Sequence, residues 1–275
     1  MSLTAGLVFF ALLALLVVGG LAGPPLAVAL RRARVMRRPF PAAWRELLRQ
    51  KMPLYNRLPA RAQLRLKQRT QVLLAEVPFI GCGGLQVTEE MRVLIAAQAA
   101  LLLLERSPAF GRLRQVLLYP GHFAVDRART GPDGVVHEAR QVMAGESWQL
   151  GQVVLAWDAV LEGAAVPDDG ANVVIHEFAH QLDQENGPAN GAPFLGRQGR
   201  PDHWARILGE EFAQLRSRLA RGETGLIDPY AATDPAEFFA VVSELFFERP
   251  AALAAEHPAL YAEFARCYRQ DPRSW

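Results

Sequence analysis

Apolar positions are distributed along this chain in three ways, and each predicts a different kind of element. The first is an unbroken run, Leu3 to Gly23 (LTAGLVFFALLALLVVGGLAG), with no charged side chain. As a helix it is about 31 Å long, close to the ~30 Å hydrocarbon thickness of a bilayer. Pro24 and Pro25 follow, then Arg31, Arg32, Arg34, Arg37 and Arg38. The pattern predicts one N-terminal transmembrane helix whose arginine-rich side stays in the cytoplasm. A cleaved signal peptide is the competing reading. The lack of Lys or Arg before the run, and the run's length, argue against it.

The second distribution is helical. Pro41 to Thr70 has tryptophan, leucines and arginines at helical spacing, broken at Pro53 and Pro59. Thr88–Glu105 opens with a threonine N-cap and two acids, then runs in Ala and Leu. With about 15 apolar residues and charged ends it reads as a buried core helix. The third is extended. Val116–Val125 and Gln152–Trp157 read as strands, the latter as a sheet edge able to take a peptide by β-augmentation. Gly131–Gly134 (GPDG) reads as a turn between strands. Beyond about residue 170 the pattern is mostly helical. The expected class is α+β, with helices around a small mixed sheet.

Composition narrows the function classes. With 51% hydrophobic and 21% charged residues, the chain can bury a core and is not intrinsically disordered. Its two cysteines, Cys82 and Cys267, cannot form a disulfide scaffold. The net charge of +2 conceals an asymmetry: residues 31–70 hold 13 of the 30 Arg/Lys residues and one acid, Glu46. Residues 71–275 then hold 17 basic against 27 acidic side chains. Such an acidic body repels phosphates, so no nucleic-acid partner is expected. The basic stretch suits anionic headgroups, at about 1 kcal/mol per well-placed arginine. Three regions follow: an anchor at 1–30, a basic juxtamembrane and helical segment at 31–70, and a catalytic domain at 71–275.

The chemistry lies in ANVVIHEFAHQLDQ (171–184), where His176, Glu177 and His180 form H-E-x-x-H. On an α-helix, positions i and i+4 share a face, so both imidazoles can meet one ion. Glu177 then projects toward the water that a zinc ion would hold. A catalytic zinc site needs a third protein ligand. The metzincin continuation is absent, since Asp183 and Asn186 stand where a glycine and a histidine would be required. Glu210 and Glu211 are thermolysin-like candidates. Asp228–Glu248 (DPYAATDPAEFFAVVSELFFE) offers another: Asp234 can cap a helix with Pro235 at its first position, placing Glu237 in the first turn and Glu244 two turns on. Local pattern leaves open whether Glu237 is a ligand or a capping-box glutamate serving its own helix end. Asp183 and Glu244 are candidates to orient the histidines, or plain surface charges. His122, His203 and His257 match no ligand position and read as structural.

HEFAHQLD, GESWQ (145–149) and DPYAATDPAEFFAVVSELFF together resemble the Mlc titration factor A family of bacterial zinc peptidases, over about residues 39–272. The resemblance implies a zincin-like metallopeptidase domain with Zn²⁺ held by His176, His180 and Glu237. It associates a further histidine with the metal, which falls here on His137 and would compete for the water position, giving a latent site. The active site is also similar to that of anthrax lethal factor, which implies a tyrosine seven residues before the glutamate ligand: Tyr230. With the N-terminal pattern, the expectation is a single-pass protein of the bacterial inner membrane, its catalytic domain cytoplasmic and its substrate a peptide or protein. The best-known family member lacks a hydrophobic N-terminal segment and binds the glucose repressor Mlc. The alternative is therefore a regulatory binding protein that sequesters a transcription repressor.

Overall fold

The computed structural model describes residues 16, 20, 23–130, 136–143, 145–148, 151–196 and 199–275. They fall in two compact units, Met1–Pro39 and Phe40–Trp275. In the first, residues 23–36 are helical (α1). This described stretch of fourteen residues is about 21 Å long and carries Arg31, Arg32 and Arg34. No helix among the described residues is long and apolar enough to cross a membrane. This overturns the expected transmembrane helix and single-pass inner-membrane placement. Apart from Leu16, Gly20 and Gly23, the run at 3–23 on which it rested lies outside the described residues.

The second unit begins with α2 (Ala42–Lys51), α3 (Pro53–Arg57) and α4 (Ala60–Glu76). Pro53 opens α3 and Pro59 is the N-cap of α4, so each expected break is a helix boundary. α5 (Glu89–Leu101) starts at Thr88, whose hydroxyl accepts a hydrogen bond from the Met91 amide at 3.3 Å. From Val93 to Leu101 it is buried on every side, as an all-round apolar helix must be. It packs between α4 and the helix that carries the H-E-x-x-H motif.

The main sheet has the order β1-β2-β6-β5, from β1 (Phe79–Gly81), β2 (Gln115–Tyr119), β6 (Gln152–Ala156) and β5 (Gly145–Trp148). β1, β2 and β6 are parallel; β5 runs antiparallel to β6. β6 is thus an interior strand bonded on both sides, and β5 takes the edge position expected for it. The run read as one strand at 116–125 breaks at Pro120–Gly121. Its second half enters β3 (Phe123–Thr130), which pairs antiparallel with β4 (Val136–Met143) in a separate hairpin. The GPDG turn lies outside the described residues.

After β6 come α6 (Trp157–Ala165), α7 (Val173–Asp183), α8 (Pro201–Ala220), a 3-10 turn (Pro229–Ala232), α9 (Pro235–Glu248), α10 (Pro250–Glu256) and α11 (Pro258–Tyr268). Proline opens α8 to α11, where its missing N–H costs nothing. The core is densely aromatic here. Phe246 of α9 lies 5.4 Å from Tyr268 and 6.1 Å from Phe264 of α11, ring centre to ring centre. Trp204 of α8 lies 5.9 Å from Phe239. Helices α9 and α7 pack directly together, which brings the two motif-bearing segments face to face.

Candidate metal centre

The loop before α7 ends in Asn172, whose side-chain oxygen accepts from the Ile175 amide at 3.0 Å and starts the helix. His176 and His180 then project from one face, their Nε2 atoms 3.3 Å apart. Facing them, Asp234 caps α9 by accepting from the Ala236 and Glu237 amides at 2.8 and 3.0 Å, with Pro235 at N1. The Glu237 carboxylate turns toward the histidines, with Oε2 3.0 Å from His176 Nε2 and 3.4 Å from His180 Nε2. Among the described residues, these three form the group of ligand-type side chains whose donor atoms gather within 4.8 Å.

Two turns further along α9, Glu244 Oε1 lies 2.8 Å from His176 Nδ1. In the neutral ring, Nδ1 carries the hydrogen that Glu244 accepts, so the Nε2 lone pair faces Glu237 and His180. Acceptors then face one another, an arrangement that only a shared proton or cation reconciles. The donor set fits a metal that takes imidazole nitrogen and carboxylate oxygen. Without one, a proton serves. His176 is held well above the ordinary histidine value: burial opposes this, but Glu244 and Glu237 outweigh it. Burial likewise works to raise Glu237, and the bonds and charges of both histidines hold it well below the usual carboxylate range.

Glu177 is only 5% exposed and has no hydrogen-bond partner among the described residues. Burial pushes its carboxyl up to about 7, against the pull of the two histidines. Tyr230 sits on the 3-10 turn, its amide bonded to Asp228 Oδ1 at 2.7 Å, its ring centre 6.1 Å from that of His176. All these side chains line one cavity of about 1150 Å³. β5 borders it too. A Cβ on Gly145 would lie 2.6 Å from both Glu177 Oε1 and Val173 Cγ2, so glycine lets the strand approach the helix this closely. His137 stands on β4 opposite Arg129 in the hairpin register.

Other expected residues are placed elsewhere. Glu210 pairs with Arg206, and Glu211 with His257 at 2.7 Å, which leaves neither at the centre. His203 pairs with Glu263. Asp183 orients neither histidine. It is fully buried and accepts from the amides of Asn190, Gly191 and Ala192 at 2.7, 2.7 and 2.8 Å, pinning the loop that forms one cavity wall.

Residues 27–269 match the model of the glucose-regulated metallo-peptidase M90 family. The chain belongs to that family. An M90 chain is thereby a metallopeptidase-type protein, and the family implies a metal ion. A protein of Synechocystis described as uncharacterised is 42% identical over 88% of this chain and 89% of its own. The Mlc titration factor A proteins of Serratia proteamaculans and Salmonella agona are each 36% identical. They cover 84% and 80% of this chain, and 88% and 84% of their own. The helix-rich α+β fold with its small sheet fits a metallopeptidase domain.

Some participants went unread in the sequence. Asn172 Nδ2 lies within 3.0 Å of Gln98 Oε1, Gly163 O and Glu248 Oε1, and its backbone amide donates to Glu244 Oε2 at 2.5 Å. The only local signal was a capping-type residue just before the apolar start of α7. His122 lines the cavity with Nδ1 3.1 Å from Asp158 Oδ2, a pairing no spacing rule could find.

Proposed function

We propose that this chain is a zinc-dependent metallopeptidase. The observation that carries the reading is the convergence of His176, His180 and Glu237 beside a buried Glu177, which has no partner among the described residues, in one large cavity. Zinc suits two imidazoles and one carboxylate with a position left for water, and would supply Lewis acidity to that water and to the scissile carbonyl. His176, His180 and Glu237 would hold it, with Glu244 fixing the His176 ring from behind. Glu177 accepts the proton of the attacking water and returns it to the leaving amine; a carboxyl poised near 7 suits both halves of that exchange. Tyr230 donates its hydroxyl hydrogen to the developing oxyanion. The edge of β5 offers an extended peptide a row of backbone partners.

Glu177→Gln is expected to keep zinc bound and abolish turnover of a fluorogenic peptide library; hydrolysis undiminished in that variant refutes the mechanism. His137 is proposed as a displaceable further ligand that keeps the site latent. His137→Ala should then retain zinc with equal or higher activity, and loss of zinc in that variant makes it an ordinary ligand.

A second reading follows from the relatives named for titrating Mlc. It makes the chain a regulator that binds a transcription repressor. Equilibrium binding of an Mlc-type repressor to Glu177→Gln tests it apart from catalysis.

A further inference from the structure

The cavity that holds the candidate centre is strongly one-signed. Among the described residues lining it there is no lysine or arginine, although the chain has 30. Seven carboxylates line it: three at the centre itself and, around the rim, the exposed Glu162, Asp169, Asp228 and Asp234. The rim acids are not alike. Asp228 and Asp234 accept backbone amides at the starts of the 3-10 turn and α9. Asp169 accepts from the Ala171 amide at 2.9 Å. Glu162 has no side-chain partner among the described residues. Beside Glu162 and Asp169 the wall is lined by Ala159, Gly163 and Gly170, with Leu245 offering an apolar surface to the stem of a long side chain. Of the three at the centre, Glu177 is buried and has no hydrogen-bond partner among the described residues.

A cleft lined by one sign of charge within low-dielectric walls concentrates ligands of the opposite sign. A divalent ion at the centre compensates the carboxylates around it and leaves the four rim acids uncompensated. We infer that the cleft selects cationic peptides, with lysine or arginine close to the scissile bond received by Glu162 and Asp169. This deepens the metallopeptidase reading and rests on it, so the test must let the two fail separately.

The full-length, zinc-loaded protein is assayed on internally quenched peptides in which each position around the scissile bond is Lys, Arg, norleucine, Gln or Glu in turn. The same peptides, labelled, are titrated against Glu177→Gln by fluorescence anisotropy. At one or more positions, Lys or Arg should exceed Glu about tenfold in kcat/KM and in affinity. Norleucine should fall between them, and the gap should shrink several-fold in 0.5 M KCl. Glu162→Gln combined with Asp169→Asn should narrow the gap at one position while leaving the cleavage of norleucine peptides similar. Hydrolysis with no charge preference, or with Glu preferred, overturns the inference and leaves the peptidase standing. Tighter binding of cationic peptides without any hydrolysis supports the inference and removes the peptidase. Neither hydrolysis nor selective binding removes both.

Discussion

Helix α9 presents two unlike faces to the rest of the protein. One carries Glu237, Glu244 and Glu248, spaced so that they stack along a single stripe toward α7 and the cavity. The other carries Phe239, Phe246 and Phe247, packed on Trp204, Phe264 and Tyr268. On the aromatic face the stabilisation is proportional to buried area and indifferent to which ring supplies it. On the acidic face each carboxylate is matched to a particular donor: Glu237 to two imidazoles, Glu244 to His176 and the Asn172 amide, Glu248 to Asn172 and Gly170. Removing volume should therefore damage one face, and removing charge at constant volume the other.

The largest effect belongs to the aromatic face. Phe246→Ala leaves a cavity among rings that are already fully buried and should cost about 3–5 kcal/mol, read as a fall in the denaturation midpoint of metal-free protein. An equal fall caused by Glu244→Gln would erase the distinction between the faces. Glu244→Gln should instead leave the metal-free fold near its original stability and lower metal affinity by about 10–100-fold, measured by competition with a chelator, because the amide orients the His176 ring less firmly.

Glu248→Gln sharpens the comparison through pH. Burial, with Asp169 and Glu244 nearby, raises the Glu248 carboxyl to about 8 despite the bond from Asn172. A carboxyl raised on folding supports stability below its ordinary value near 4.5 and loses that contribution as pH climbs toward 8. The glutamine variant mimics the protonated acid, so it should match the parent at pH 5 and exceed it at pH 9 by about 2 kcal/mol, or ~5 °C in Tm. Parallel melting curves for the two proteins across pH 5–9 would contradict this.

What could be read in the sequence was what is decided within one turn or one strand. The caps at Thr88 and Asp234, the proline boundaries and the shared face of His176 and His180 all depend on neighbours up to four positions away, and all appear as expected. Glu237 was ambiguous for a definite reason. A capping-box glutamate and a residue turned toward a histidine 61 positions earlier have the same local spelling. Asp183 was misread because its partners are backbone amides, which no letter of the sequence distinguishes. The edge role expected for Gln152–Trp157 passed to β5 because strand order is set by pairing between distant segments. The membrane-spanning assignment rested on apolar length and the flanking arginines, whereas no helix among the described residues is long and apolar enough to cross a membrane.

Gly145 has a consequence for how such a protein can vary through descent. The strand touches α7 through a glycine with no space for even a methyl group, since the nearest atoms include a carboxylate oxygen of Glu177 itself. Any side chain at this position must either displace Glu177 or lift β5 away from the cavity it borders. No single step from glycine would leave both the sheet edge and the carboxylate in place. The path to a new substrate preference therefore runs through the opposite wall at α6, where the exposed Glu162 can change without disturbing that contact.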